Sequence, residues 1–207
     1  MRLTKFTHAC VRLEADGRAL VIDPGEFSEE AALDGVRTVL VTHEHFDHID
    51  YGWLTRVAQA DPEFRIYGPA PVTAQLTSLG EAAVTVSTGD TFTAGGFAVQ
   101  AVGGDHAEIY EGLPGCPNLG YVIDDTVYHP GDALFVPDAR IDTLLVPATA
   151  PWLKLAEALD FVRAVKPRRA FPIHDAMLST IGQKSVEGWM SAKANTDYAW
   201  LSPGDSV

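Results

Sequence analysis

The sequence predicts an α+β protein in which two β-sheets pack together with helices outside. Three observations carry that prediction: short alternating or β-branched segments recur in both halves of the chain, helical stretches follow the strands in each half, and four strand ends carry histidine or aspartate.

Residues 2–8 and 10–14 alternate apolar with polar side chains at period two, and a turn at Ala15-Asp16-Gly17-Arg18 joins them to 19–24, which reads as an antiparallel meander. His8 and Cys10 share a strand on this reading. Residues 28–34 suit a short helix, and 38–42, Thr-Val-Leu-Val-Thr, are β-branched and too short for one, so they form a buried strand that delivers His43. Asp50 is an N-cap for a helix over 51–60, in which Trp53, Leu54, Val57 and Ala58 have helical spacing, and Pro62 stops it. A strand at 65–68 and a helix over 69–79, bracketed by Pro69 and Gly80, continue the pattern as β-α-β.

Residues 83–87, 90–93 and 97–102, linked by turns at Thr88-Gly89 and Ala94-Gly95-Gly96, make a second antiparallel run that ends at His106. A loop rich in Gly and Pro, 108–118, covers what His106 faces, and 119–123 with 126–129 form a hairpin about Asp124-Asp125 that leads to Asp132. Residues 143–147 are a buried strand, followed by a loop containing Pro151 and Trp152. An amphipathic helix over 153–165 then buries Leu155, Leu159, Phe161, Val162 and Val165. A last apolar strand, 169–173, delivers His174. A helix over 181–192 and an edge strand at 198–201 close the chain.

A chain of 207 residues suits one domain spanning 1–207. Its formal charge of -13 opposes binding to phosphate backbones, so nucleic acid is not the expected partner. No apolar run reaches the roughly 18 residues that span a bilayer, and the first residues lack a signal-peptide core, which points to a cytoplasmic protein without a membrane partner. Cys10 and Cys116 are too few for a disulfide framework and read as small buried or loop thiols.

The chemistry is concentrated between Thr42 and Asp50, which hold three of the seven histidines together with Asp47. Neutral imidazole and carboxylate oxygen are donors that zinc, iron and manganese accept. His43, His45 and His106 make one site with a position open to water. Asp47, His48 and His174 make a second, and Asp132 bridges both. Two ions so placed share a hydroxide, lower its pKa towards about 7 and polarise the electrophile. Around them, His8 reads equally as a group facing the cleft or as a structural histidine. Asp23 orients a ligating imidazole, and His129 braces the turn before Asp132. Trp152 and Lys154 suit a side wall and a cation for an anionic substrate, against the plainer roles of a packing Trp and a solvated Lys.

The motif His43-x-His45-x-Asp47-His48, followed in order by His106, Gly131-Asp132 and Ile173-His174, resembles the metallo-β-lactamase superfamily across nearly the whole chain. The opening Thr7-His8-Ala9-Cys10 and the segment Leu20-Val21-Ile22-Asp23-Pro24 are similar to its small zinc-dependent hydrolases, the L-ascorbate-6-phosphate lactonase-like proteins. That resemblance implies a four-layer αββα sandwich of two mixed sheets flanked by helices, with a metal cleft along one sheet edge. It also implies two divalent ions, zinc first, with manganese or iron as the other candidates. The implied reaction is hydrolysis of a small ester, lactone or phosphodiester, with Asp132 and Asp47 as catalytic carboxylates. Ala133 departs from the hydroxyl residue of many relatives, and the chain lacks the extra domain and arm of the nucleic-acid-cutting members, which favours a small-molecule substrate. Two other readings stand beside this one: a single iron at His43, His45 and His106 or Asp132 oxidising thiols or persulfides with oxygen, and a non-catalytic metal-binding or sensing module. Substrate choice rests with loops 108–118 and 148–154. Oligomeric state is open, with Tyr110 and Trp189 available to a homodimer contact.

Overall fold

In the computed structural model, which describes residues 1–113 and 115–207, strand alternation divides the apolar side chains among three separate cores. Strands β1 (Arg2–Lys5), β2 (Val11–Ala15), β3 (Arg18–Ile22), β4 (Thr38–Leu40), β5 (Arg65–Gly68) and β6 (Ala83–Thr85) form one sheet in that spatial order. It is antiparallel across β1 to β3 and parallel from β3 to β6. The second sheet runs β7 (Thr91–Ala94), β8 (Phe97–Asp105), β9 (Pro117–Ile123), β10 (Val127–His129), β11 (Thr143–Pro147), β12 (Arg169–Ile173) and β13 (Asp197–Tyr198). Its β7 to β10 pairs are antiparallel and its β10 to β13 pairs parallel.

Leu20 and Ile22 of β3 and Leu40 of β4 face Val99, Tyr121, Leu145 and Phe171 in the core between the sheets. Their neighbours Val21, Val39 and Val41 face the other way, onto Trp53 and Leu54 of α1 (Tyr51–Ala60) and Val72 of α2 (Ala70–Ala74). Leu144 and Val146 of β11 likewise turn outward, onto Phe161 and Val162 of α3 (Leu155–Val165) and Met190 of α4 (Thr180–Lys193). Period-two alternation on strands buried on both faces therefore yields the layers α, β, β, α.

The strand directions set the position of the site. β8, β10, β11 and β12 all run one way, so the segments leaving their carboxyl ends, at His106, Asp132, Thr149 and His174, gather at one edge. In the facing sheet, the chain leaving parallel β3 and β4 leads to Asp23 and His43. The expected helix over 69–79 is broken: α2 stops at Ala74, and a 3-10 segment follows, with Gly80 at φ +55° where no α-helix can continue. β8 outruns its expected end at 102 because Gly103 and Gly104 take positive φ and keep pairing with Leu119 and Asn118. His8 is not on a strand. Its backbone is left-handed, at φ +67°, in a tight turn closed by Phe6 N–H donating to the Cys10 carbonyl at 2.9 Å. Pro114, within the expected loop 108–118, lies outside the described residues.

Beneath the site, the fully buried Lys5 ammonium uses all three donors, on the carbonyls of Phe6 (2.6 Å) and His8 (2.9 Å) and on Asp175 Oδ1 (3.0 Å). Asp175 follows His174, so this pair ties the His8 turn to the end of β12. Removing one partner of a buried ion pair leaves the other uncompensated. Asp175→Ala is expected to lower the unfolding free energy by about 3 to 5 kcal/mol, read from the urea midpoint at constant slope. A loss below about 1 kcal/mol, the level of an exposed pair, contradicts this role.

Candidate metal centre

β4 is followed by Val41 and Thr42, and the chain then turns through residues 43–48 with His48 N–H bonded to the His45 carbonyl at 2.9 Å. The turn aims His43, His45, Asp47 and His48 inward. Asp50 ends it by accepting from Trp53 N at 2.8 Å as the N-cap of α1. Gly25 runs against this turn so closely that a Cβ there would collide with the Asp47 carbonyl. Opposite, Gly131 at φ +62° presents Asp132, and a Cβ there would strike Asn118 Oδ1 and Thr42 Cβ. Asn118 fixes this second turn, accepting from Asp132 N (2.9 Å) and donating to the Pro130 carbonyl (2.9 Å).

Ligand-type atoms of His43, His45 and His106 lie within 4.8 Å of one another, as do those of His8, Asp47, His48 and His174, and those of His43, His48 and Asp132. Asp132 sits among three imidazoles: its Oδ1 is 3.1 Å from His48 Nε2, and its Oδ2 is 3.4 Å from His106 Nε2 and 3.1 Å from His174 Nε2.

Whether these groups suit a cation is decided by the outer ring nitrogens. His48 Nδ1 is 2.7 Å from Asp23 Oδ2, His106 Nδ1 is 2.6 Å from the Ala107 carbonyl, and His174 Nδ1 is 2.6 Å from the Thr149 carbonyl. His43 Nδ1 is 3.0 Å from Thr42 Oγ1, whose own hydrogen goes to Asp23 Oδ2 at 2.7 Å. His45 is reversed: Nε2 lies 3.8 Å from Cys116 Sγ, and Nδ1 faces His43 Nε2 at 3.0 Å. Each acceptor holds a proton on the outer nitrogen, so each imidazole, when neutral, turns a lone pair towards the others. Lone pairs crowded together repel unless a cation lies between them. Accordingly, His48 Nε2, His106 Nε2 and Asp132 Oδ1 are buried without a hydrogen-bond partner. The donor set fits one or more divalent ions of the kind that accept nitrogen and oxygen.

The remaining candidates take different places. Asp23, itself at φ +51°, accepts from Thr42 N (2.7 Å), Thr42 Oγ1 and His48, which makes it the orienting carboxylate of the cluster. His8 Nε2 is 3.1 Å from Asp47 Oδ2, and its Nδ1 accepts from Ala176 N at 3.4 Å, so it donates to Asp47. His129 is buried and outside the groups of ligand-type atoms, donating to the Ala9 carbonyl (2.9 Å) and accepting from Gly131 N (3.2 Å), and it braces the Asp132 turn. Trp152 Nε1 donates to Asp132 Oδ2 at 3.0 Å and walls the cleft. Lys154 does not line the cleft: it stands at the N-cap of α3, and its exposed ammonium lies 3.8 Å from Glu157. Phe46 is 56% exposed on the rim. Sequence reasoning missed Thr42, Asn118 and Cys116, which act on the cluster through hydrogen bonds, and Ile109 and Met177, which line the cleft.

Charge within the cluster is strongly biased. Burial and the neighbouring His48 hold the His43 pKa well below the ordinary value, and burial keeps His8, His45 and His129 low. At His48 burial is outweighed by the carboxylates of Asp132 and Asp23, which raise it well above that value. At His174 burial is overcome by Asp132 and Asp47, to about 9. Asp132 and Asp47 are held below the usual carboxyl range by these imidazoles, despite burial. In protein stripped by a chelator, the raised His174 pKa contributes stability that is complete below about 6.5 and lost as pH rises through about 9. The depressed carboxyls contribute stability that is present above about 3.9 and lost below it. Ligation needs neutral imidazole, so the gain in Tm on adding zinc should grow between pH 6.5 and 9 while the Tm of stripped protein falls. Melting curves across that window check both trends. A stripped-protein Tm that rises through it contradicts the charge assignment.

Among the described residues, no helix is long and apolar enough to cross a membrane. Comparison with known proteins gives consistent results. A family model described as beta-lactamase superfamily domain matches residues 2–174. Protein Rv0786c of Mycobacterium tuberculosis is 38% identical, over 100% of this chain and 99% of its own length. A UPF0173 metal-dependent hydrolase of Azorhizobium caulinodans is 32% identical, over 72% of this chain and 71% of its own length. Among solved structures, Igni18, a metallo hydrolase from the archaeon Ignicoccus hospitalis, matches with a TM-score of 0.77 and 21% identity, covering 100% of this chain and 97% of that one. At that identity the likeness is one of fold.

Proposed function

The chain belongs to the beta-lactamase superfamily and to its UPF0173 metal-dependent hydrolases, and on that premise we propose that it hydrolyses a small ester, lactone or phosphodiester at a centre of two divalent ions. The observation that carries the reading is the set of five imidazoles tied by their outer nitrogens, with inner lone pairs converging on Asp47 and Asp132. His43, His45 and His106 would hold one ion, Asp47, His48 and His174 the other, and Asp132 both. Zinc is the ion that donor set suits first. Bound there, the ions would acidify water shared between them and polarise the electrophile.

The chain's own groups divide the remaining work. Asp132, only 4% exposed and anchored on one oxygen by Trp152, positions the cluster. Asp47, 18% exposed and bonded to His8, has the solvent contact needed to take a proton and pass it out. Asn118 and the Ala107 amide, which donates to the Asp132 carbonyl at 2.8 Å, hold the Asp132 turn against the end of β8. The free thiols of Cys10 and Cys116 accord with action in the cytoplasm. The test is a panel of lactones, aryl esters and bis-aryl phosphodiesters offered to the zinc-loaded protein. Turnover that disappears with a chelator and returns with zinc is expected. Absence of turnover across the panel contradicts the reading.

A further inference from the structure

The cleft above the cluster encloses about 350 Å³. Apart from the histidines and aspartates, its described lining is Phe46, Ile109, Pro151, Trp152 and Met177, with no lysine or arginine among them. These side chains come from four separate segments: the turn after β4, the segment after His106, the loop before α3, and the residues after His174. No single packing face explains them. Ile109, Phe46 and Met177 are 41%, 56% and 57% exposed, and Phe27 stands edge-on to Phe46 with ring centroids 5.7 Å apart. Large apolar side chains collected around a catalytic mouth mark a surface that a ligand covers. Of the nearby cations, Lys5 is buried under Asp175, and Lys154 lies outside the cleft lining with its exposed ammonium 3.8 Å from Glu157. Glu108 lines the smaller cavity of about 200 Å³ that shares His45, His106 and Ile109 with the cleft. An anionic substrate would therefore find carboxylates and apolar carbon around the ions, and no lysine or arginine in the described lining of the cleft.

Resting on the hydrolase reading, we propose that the substrate is an uncharged ester or lactone whose apolar acyl group lies against Phe46, Ile109, Trp152 and Met177. Phosphodiesters and sugar phosphates are thereby disfavoured. Water adds its oxygen to the carbonyl carbon, and the acyl C–O bond breaks with its electron pair going to the leaving oxygen. One water proton ends on the alcohol, and the other enters solvent as the acid ionises.

Two measurements on the zinc-loaded full chain test this. Across p-nitrophenyl acetate, butyrate and hexanoate, kcat/KM is expected to rise about three- to fourfold per methylene, the factor for burying that group. Met177→Lys, at an exposed position that tolerates charge, should cut the hexanoate-to-acetate ratio about tenfold. A flat or falling series, or faster turnover of bis(p-nitrophenyl) phosphate than of the hexanoate, overturns the inference and leaves the hydrolase standing. Binding is read separately through Trp152 fluorescence, with Trp152→Phe as the blank. Hexanamide, an uncharged ester analogue, should quench it at concentrations at least tenfold below acetamide. No turnover of any ester with this preference intact sinks the hydrolase reading alone, and equal binding of the two amides overturns the inference whatever the turnover.

Discussion

Asp132→Asn is expected to lower kcat/KM for any ester the protein hydrolyses by about a thousandfold, several kcal/mol of transition-state stabilisation. Asn fills the same volume and can still accept the Trp152 Nε1 hydrogen, so the fold should survive and far-ultraviolet circular dichroism should be unchanged. What it lacks is charge. The carboxylate lies within 3.4 Å of His48, His106 and His174, and among the described residues it is the one acid reaching all three. A neutral amide cannot replace it between cations, and its NH2 has no lone pair to offer an ion. Steady-state kinetics decide the matter: a variant retaining more than about a tenth of the activity contradicts a central role for this carboxylate.

Stripping the protein with a chelator is expected to lower its Tm by roughly 10 °C. Free zinc at about a thousand times its dissociation constant stabilises by about 4 kcal/mol, and a chain of this size loses roughly 2 to 4 °C per kcal/mol. The structural reason is the trio of buried atoms without hydrogen-bond partners, His48 Nε2, His106 Nε2 and Asp132 Oδ1, which an ion would satisfy. Differential scanning calorimetry with and without zinc measures the shift. A Tm unchanged by chelation would mean that the cluster is satisfied by its own hydrogen bonds.

Much of this was legible in the sequence because the informative residues are side chains at strand ends. The β-branched run before His43 and the apolar runs before Pro147 and His174 could only be buried strands, and Asp50 announced the start of α1. The parts that were not legible depend on backbone. His8 leaves the strand through a left-handed turn with no glycine or proline to mark it. The carbonyls of Ala107 and Thr149, which set two of the tautomers, belong to residues whose side chains carry no sign of that task. Phe46, Ile109 and Met177 look like packing residues in a sequence, since hydrophobicity alone does not tell a core from the lip of a cleft. Lys154 beside Trp152 suggested a substrate cation, but its exposed ammonium lies outside the cleft lining, 3.8 Å from Glu157.

The most direct test of the two-ion centre is elemental analysis of protein purified without added metal and then equilibrated with zinc, alongside Asp132→Asn treated identically. Two zinc ions per intact chain, and one or fewer in the variant, is the predicted result. One iron per chain with oxygen consumption, or no bound metal at all, contradicts it.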